Sequence, residues 1–296
     1  YDAESDPTTE PLVLTALSTG GPWFYHEIIW KDMNSDGKLD VLTARAQIKT
    51  FGGSSKQLVW FEAPKWQEHV INNGGDVFIQ NEKITVKNVT YDVILAAVFF
   101  SKSIVITWTE GEDWLDATKI HSRVISEETT SPFALKYLDV NGDGRNDVLV
   151  SLNDAKNGSV IVFEMPHDFR SGAFIRHELC HGFKAQPEVI PMPGRGSPGF
   201  IYPLSMKTTA KVLKKWSYDA SNKMSFLLSG DDGGFVYILV PRSNDSAEWH
   251  YDPIPLFEAK TTVGDLYVKD LDGDGNEDIL VAAYNLNQVH IYSFTP

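Results

Sequence analysis

Five times along the chain a short aliphatic run follows the same pattern: Asp40-Val-Leu-Thr-Ala44, Asp92-Val-Ile-Leu-Ala96, Asp147-Val-Leu-Val-Ser151, Ser225-Phe-Leu-Leu-Ser229 and Asp278-Ile-Leu-Val-Ala282. Runs this short, rich in Val, Ile and Leu and bounded by Gly, Asn and Asp, predict strands buried on both faces. Each is followed by a second apolar run: Gln57 to Phe61, Ser103 to Trp108, Ser159 to Phe163, Phe235 to Leu239 and Val289 to Phe294. Each is preceded by another: Phe24 to Trp30, Val77 to Ile84, Phe133 to Leu138, Phe200 to Met206 and Leu266 to Lys269.

A further element recurs as Trp66-x-x-His69-Val-Ile71, Ile120-x-x-Arg123-Val-Ile125, Phe174-x-x-His177-Glu-Leu179 and Trp249-x-x-Asp252-Pro-Ile254. The last repeat ends without it. Pro11-Leu-Val-Leu-Thr-Ala-Leu17, at the other terminus, is the matching run. Four strands in each of five repeats predict an all-β fold, a five-bladed β-propeller of four-stranded blades in which the N-terminal strand closes the last blade. The chain reads as a single domain over 1–296, with 1–10 a mobile start.

Between the first and second strands of three repeats stands an oxygen-rich loop, D-x-[ND]-x-D-G-x-x-D. Its copies carry Asp32, Asn34, Asp36, Lys38 and Asp40; Asp139, Asn141, Asp143, Arg145 and Asp147; and Asp270, Asp272, Asp274, Asn276 and Asp278. Alternate carboxylates and amides turn several oxygens toward one centre while Gly makes the sharp turn, the arrangement of a calcium site. An EF-hand would run on to a Glu at position twelve; here the ninth-position Asp leads straight into a strand. The reading is up to three structural Ca2+ ions and no organic cofactor. The second and fourth repeats keep the strand and lack the loop, the fourth replacing it with an excursion over 207–223.

The formal charge of −14 argues against nucleic acid or anionic membranes as partners. Much of that acidity sits in the loops. The single cysteine, Cys180, forms no intrachain disulfide, and no Cys/His cluster suggests zinc. No apolar stretch is long enough for membrane insertion. Sequons at Asn88, Asn157 and Asn244, together with calcium loops, favour the secretory pathway.

The loop and the [LI]-x-x-[AS] strand after it resemble the FG-GAP/VCBS class of calcium-loop propellers, across essentially the whole chain. The W-x-x-H-[VI]-I strand narrows the likeness to fungal propellers, among them the propeller part of aldos-2-ulose dehydratase and the hetero-Diels-Alderases of tropolone sesquiterpenoid biosynthesis. That resemblance implies a lyase or pericyclase of secondary metabolism. The wider class also contains lectins, integrin heads and scaffolds, so fold alone does not choose.

With calcium loops stiffening one face, ligands are expected on the other, where Trp23, Tyr25, Arg45, Phe99, Phe100, Lys102, Arg195 and Tyr284 are read as substrate-binding. His26 and Asp231 are read as the proton-transfer pair. His69 and His177 share a repeat position and are read as outer-strand decoration. The Pro- and Gly-rich connection over 181–200 reads equally as a lid or a packed surface loop. An enzyme that dehydrates a hydroxylated precursor and guides a cycloaddition needs one asymmetric pocket. A glycan-binding lectin would repeat its binding residues in each blade, and an adhesion scaffold would present a flat mouth. The mouth residues do not repeat, which favours the first.

Overall fold

The computed structural model describes residues 23–48, 53–187, 194–219 and 221–293. Blade 1 consists of β1 (Phe24–Lys31), β2 (Asp40–Ile48), β3 (Ser54–Glu62) and β4 (Gln67–Asn72); blade 2 of β5 (Phe78–Val86), β6 (Val89–Val98), β7 (Ser103–Glu110) and β8 (His121–Glu127). Blade 3 holds β9 (Ser131–Leu138), β10 (Asp147–Asn153), β11 (Gly158–Glu164) and β12 (Ile175–Phe183). Blade 4 holds β13 (Ile201–Pro203), β14 (Phe226–Ser229), β15 (Phe235–Pro241) and β16 (Tyr251–Glu258), with helix α1 (Met206–Lys215) between its first two strands. In blade 5 the described strands are β17 (Val263–Lys269), β18 (Asp278–Ala283) and β19 (Gln288–Ser293). All pairings are antiparallel between chain neighbours, and the first strands touch in succession around the axis as a propeller requires.

The second strands are the most deeply buried elements: β6, β10 and β14 expose almost nothing because each lies between the sheets of two neighbours. Separate apolar clusters fill the junctions of blades 1 and 2, 2 and 3, 3 and 4, and 4 and 5. The first strands, whose free edges face the axis, are satisfied by side chains from the blade before. Glu27 accepts from the Ile79 backbone N–H at 2.8 Å, and Gln80 accepts from that of Tyr137 at 3.1 Å. Among the described residues no helix is long and apolar enough to cross a membrane.

At the junction of blades 5 and 1 the described residues leave apolar side chains open: Ile28 and Trp30 on β1, Tyr267 on β17, Val289 and Ile291 on β19. The expected completing strand, residues 11–17, lies outside the described residues. Deleting residues 1–18 is expected to lower the melting temperature far more than deleting 1–8, because this face and the edge of β19 would stay wet. Equal melting of the two truncations would show that the N-terminal run does not complete blade 5.

Candidate metal loops and channel pocket

The three acidic loops fold alike. The first Asp accepts from the sixth-position glycine N–H at 2.8 Å in each: Asp32 from Gly37, Asp139 from Gly144, Asp270 from Gly275. These glycines have φ of 86°, 85° and 81°, a left-handed turn that a side chain would strain. The ninth Asp accepts from the second-position N–H: Asp40 from Met33 at 2.9 Å, Asp147 from Val140 at 3.2 Å, Asp278 from Leu271 at 2.9 Å. Fifth-position Asp36, Asp143 and Asp274 accept from the N–H of Lys38, Arg145 and Asn276. Lys38 and Arg145, whose cationic side chains pair with Asp36 and Asp143, can themselves offer an ion only their carbonyl oxygens.

In the third loop, carboxylate oxygens of Asp270, Asp272 and Asp278 lie within 4.8 Å of one another and can hold a metal ion. All three donors are hard oxygens. In the second loop burial, reinforced by the charges of Asp143 and Asp139, pushes the Asp147 carboxyl up to about 7.

The loop's second residue locks blade to blade. Met33 and Val140 are fully buried, and their carbonyls accept from the Trp114 N–H of blade 2 and the Tyr251 hydroxyl of blade 4, both at 3.0 Å.

The two blades without a loop substitute lysines. In blade 2 a two-residue turn, Lys87-Asn88 with φ of 49° and 68°, joins β5 to β6. Asp92, the counterpart of Asp40, is wholly buried and bonds the ammonium of Lys31 at 2.9 Å, Trp114 Nε1 at 2.7 Å and Asn81 Nδ2 at 2.7 Å. In blade 4, Ser225 replaces the aspartate. The buried ammonium of Lys223 there donates to the carbonyls of Asp245 and Glu248. Ser205 caps α1, and Lys207 and Lys211 on that helix reach over to Gly275 O and Asn276 Oδ1 of the third loop.

The opposite face carries an aromatic belt built from the starts of the first strands. Phe78, Phe133 and Phe200, from blades 2, 3 and 4, touch one another with ring centroids 4.7 to 5.2 Å apart. His26 packs edge-on to Phe78 and Phe24, which leads on to Phe100 and Phe99. Asp76 holds this corner: it accepts from the Phe99 and Phe100 N–H groups at 2.7 and 3.0 Å, and burial pushes its carboxyl up to about 6. Burial lowers the His26 imidazole, opposed by its hydrogen bond to the Asp76 backbone.

Against this belt lies a channel pocket of about 350 Å³, lined from all five blades. Besides His26, its polar side chains are Glu27, Lys136, Tyr202 and Asp265. Tyr202 donates to Asp265 at 2.6 Å, and the Lys136 ammonium stands 4.9 Å from the centre of the Tyr202 ring. Burial raises the pKa values of both Glu27 and Tyr202; Lys136 opposes the rise in Glu27, and Asp265 adds to the rise in Tyr202. Proton donors and acceptors thus meet beside an apolar wall.

Of the residues read from sequence, His26 lines this pocket, and Phe99 and Phe100 extend its aromatic rim. The others stand elsewhere. Arg45 is buried in β2, paired to both carboxylate oxygens of Glu68, to Gln57 and to the Tyr25 hydroxyl, with Trp23 stacked on it at 4.5 Å. Lys102 donates to Thr129 O, and Tyr284 is exposed on blade 5.

Asp231 accepts from Asn153, and Asp232 pairs with Arg195 at 3.2 Å and accepts from Thr262. These contacts, with the reciprocal backbone bonds of Asp154 and Ser197, fasten residues 194–200 onto blades 3 and 4. Residues 188–193 of that connection lie outside the described residues. Glu27, Lys136, Tyr202 and Asp265 are not among the residues read from sequence; the first three stand inside the apolar runs expected as first strands, while the reading drew its candidates from the connections. Polar residues inside otherwise apolar first strands were the available signal. His69 and His177 are outer-strand residues, stacked on Trp60 and Trp249.

Burial, with the charge of Asp232 behind it, pushes Asp231 up to about 7. A carboxyl raised above its unfolded value near 3.8 favours the fold most at low pH and loses that contribution as pH rises through about 7. Asp231→Asn is therefore expected to flatten the decline in stability between about pH 4 and pH 7, measured by urea unfolding. An unchanged slope would contradict the assignment.

No known family profile matches the chain, and no curated protein is significantly similar to it.

Proposed function

We propose that the chain is a calcium-braced propeller that binds one small organic molecule in the channel pocket and carries out general acid–base chemistry on it. The convergence of Glu27, Lys136, Tyr202 and Asp265 beside the phenylalanine cluster supports this reading. Such a set suits dehydration of a hydroxylated precursor: Glu27 or Asp265 as carboxylate takes the proton α to a carbonyl, Lys136 steadies the enolate that forms, and a phenol or protonated carboxyl gives its proton to the departing hydroxyl, which leaves as water. The aromatic wall then holds the dehydrated product in a reactive pose, which is what a stereoselective hetero-Diels-Alder cycloaddition needs. The loop resemblance to fungal dehydratase and cycloaddition propellers supports the same class. The oxygen-only donor sets favour Ca2+ for the loops, and secretion fits that metal.

A mass-spectrometric screen of hydroxylated enol and polyene substrates tests this. Tyr202→Phe and Lys136→Met are expected to reduce turnover about 100-fold or more with unchanged melting temperature. Turnover equal to wild type in both variants would remove the pocket from the mechanism.

A further inference from the structure

A second cavity lies on the metal-loop face, between blades 2 and 3, with a volume of about 770 Å³. Two connections build it, residues 111–120 between β7 and β8 and residues 165–174 between β11 and β12. The equivalent link in blade 1 is only 63–66, and that of blade 4 is drawn shut by the buried Lys223 ammonium. The blade 2 connection turns its Trp114 away, into the junction with blade 1. The blade 3 connection sends Phe169 edge-on against Tyr91 and Trp108. Between them a groove stays open.

Its walls are set in advance. Arg170 grips both carboxylate oxygens of Asp168 at 2.8 and 2.7 Å, bonds the Tyr91 hydroxyl, and lies 4.7 Å over the Tyr91 ring. Arg123 fixes the same connection from behind through the carbonyls of Phe169 and Gly172. The exposed imidazole of His121 leans on Trp108 with ring centroids 5.7 Å apart.

Three observations narrow the ligand. Glu110 and Asp168 are balanced by Lys119 and Arg170, so the groove selects neither anion nor cation. Tyr91 and Trp108 are only 5% and 8% exposed, so an apolar molecule would gain little by entering. What the groove presents is hydrogen-bonding groups of both kinds over a largely buried aromatic floor, in a volume typical of small-ligand sites. We propose that it binds a neutral polyhydroxylated ligand, a short oligosaccharide, at a site separate from the channel pocket.

Calorimetry with soluble neutral tetrasaccharides of glucose, mannose and N-acetylglucosamine tests this. At least one is expected to bind with one site per chain. His121→Ala and Glu110→Gln, both exposed and outside the core, are each expected to weaken it about tenfold without shifting the melting temperature, and Lys136→Met in the channel to leave it unchanged. Absence of binding by all three sugars at millimolar concentration would overturn the proposal. So would binding that survives the His121→Ala, Glu110→Gln double variant, or that Lys136→Met abolishes. The acid–base role of the channel stands or falls separately, on turnover.

Discussion

Lys31→Met is expected to lower the stability of the fold by about 3–5 kcal/mol, the usual cost of stripping one partner from a buried ion pair. Asp92 is wholly buried, and with Lys31 gone its charge would keep only the neutral donors of Trp114 and Asn81. The effect is specific to blade 2, where a lysine ammonium rather than an acidic loop faces the second-strand aspartate. Adding Asp92→Asn to the variant removes the stranded charge and is expected to recover much of the loss. Urea unfolding of both single variants and the double variant measures this. Additive losses would show that the two residues do not act as a pair.

Chelation is expected to have an effect of comparable size. An ion at a hundredfold excess over its dissociation constant stabilises the native state by about 2.7 kcal/mol per site. Emptying the acidic loops should therefore lower the melting temperature by on the order of 10 °C. Excess Ca2+ should restore it, and Mg2+ should do so poorly, because Mg2+ demands a tighter octahedron than a flexible loop offers. Asp36→Ala, Asp143→Ala and Asp274→Ala should each reproduce part of the loss. The loops tie their own blades to the next through Met33 and Val140, so the damage should reach the ring and not only the loops. A melting temperature unmoved by EGTA would remove the metal assignment.

Repetition made the scaffold legible. The strand motif recurs five times and the acidic loop directly precedes it in three of them, so five blades, the order of strands and the two loop-free blades were all readable from the sequence. Helix α1 was not. Its residues 206–215 sit where a loop was expected, and its amphipathic stretch is held by Ser205 and by contacts to blade 5 that only the fold brings near.

The pocket was legible in part. His26 and the Phe99-Phe100 pair stood out as unrepeated aromatics near the mouth. Phe78, Phe133 and Phe200 looked like ordinary strand residues, and only the ring brings three blade starts together. Arg45 misled for the opposite reason: β2 runs on to Ile48, which makes Arg45 a cross-strand partner of Gln57 rather than a loop residue.

The central claim is that the channel pocket is where this protein holds its substrate, and a crystal structure with the tightest-binding enol or polyene from the screen tests it most directly. Ligand density is expected against Phe78 and Phe200, with a ligand oxygen within hydrogen-bond reach of Lys136 or Tyr202. Density confined to the groove between blades 2 and 3, or a channel left filled by water at saturating ligand, would contradict it.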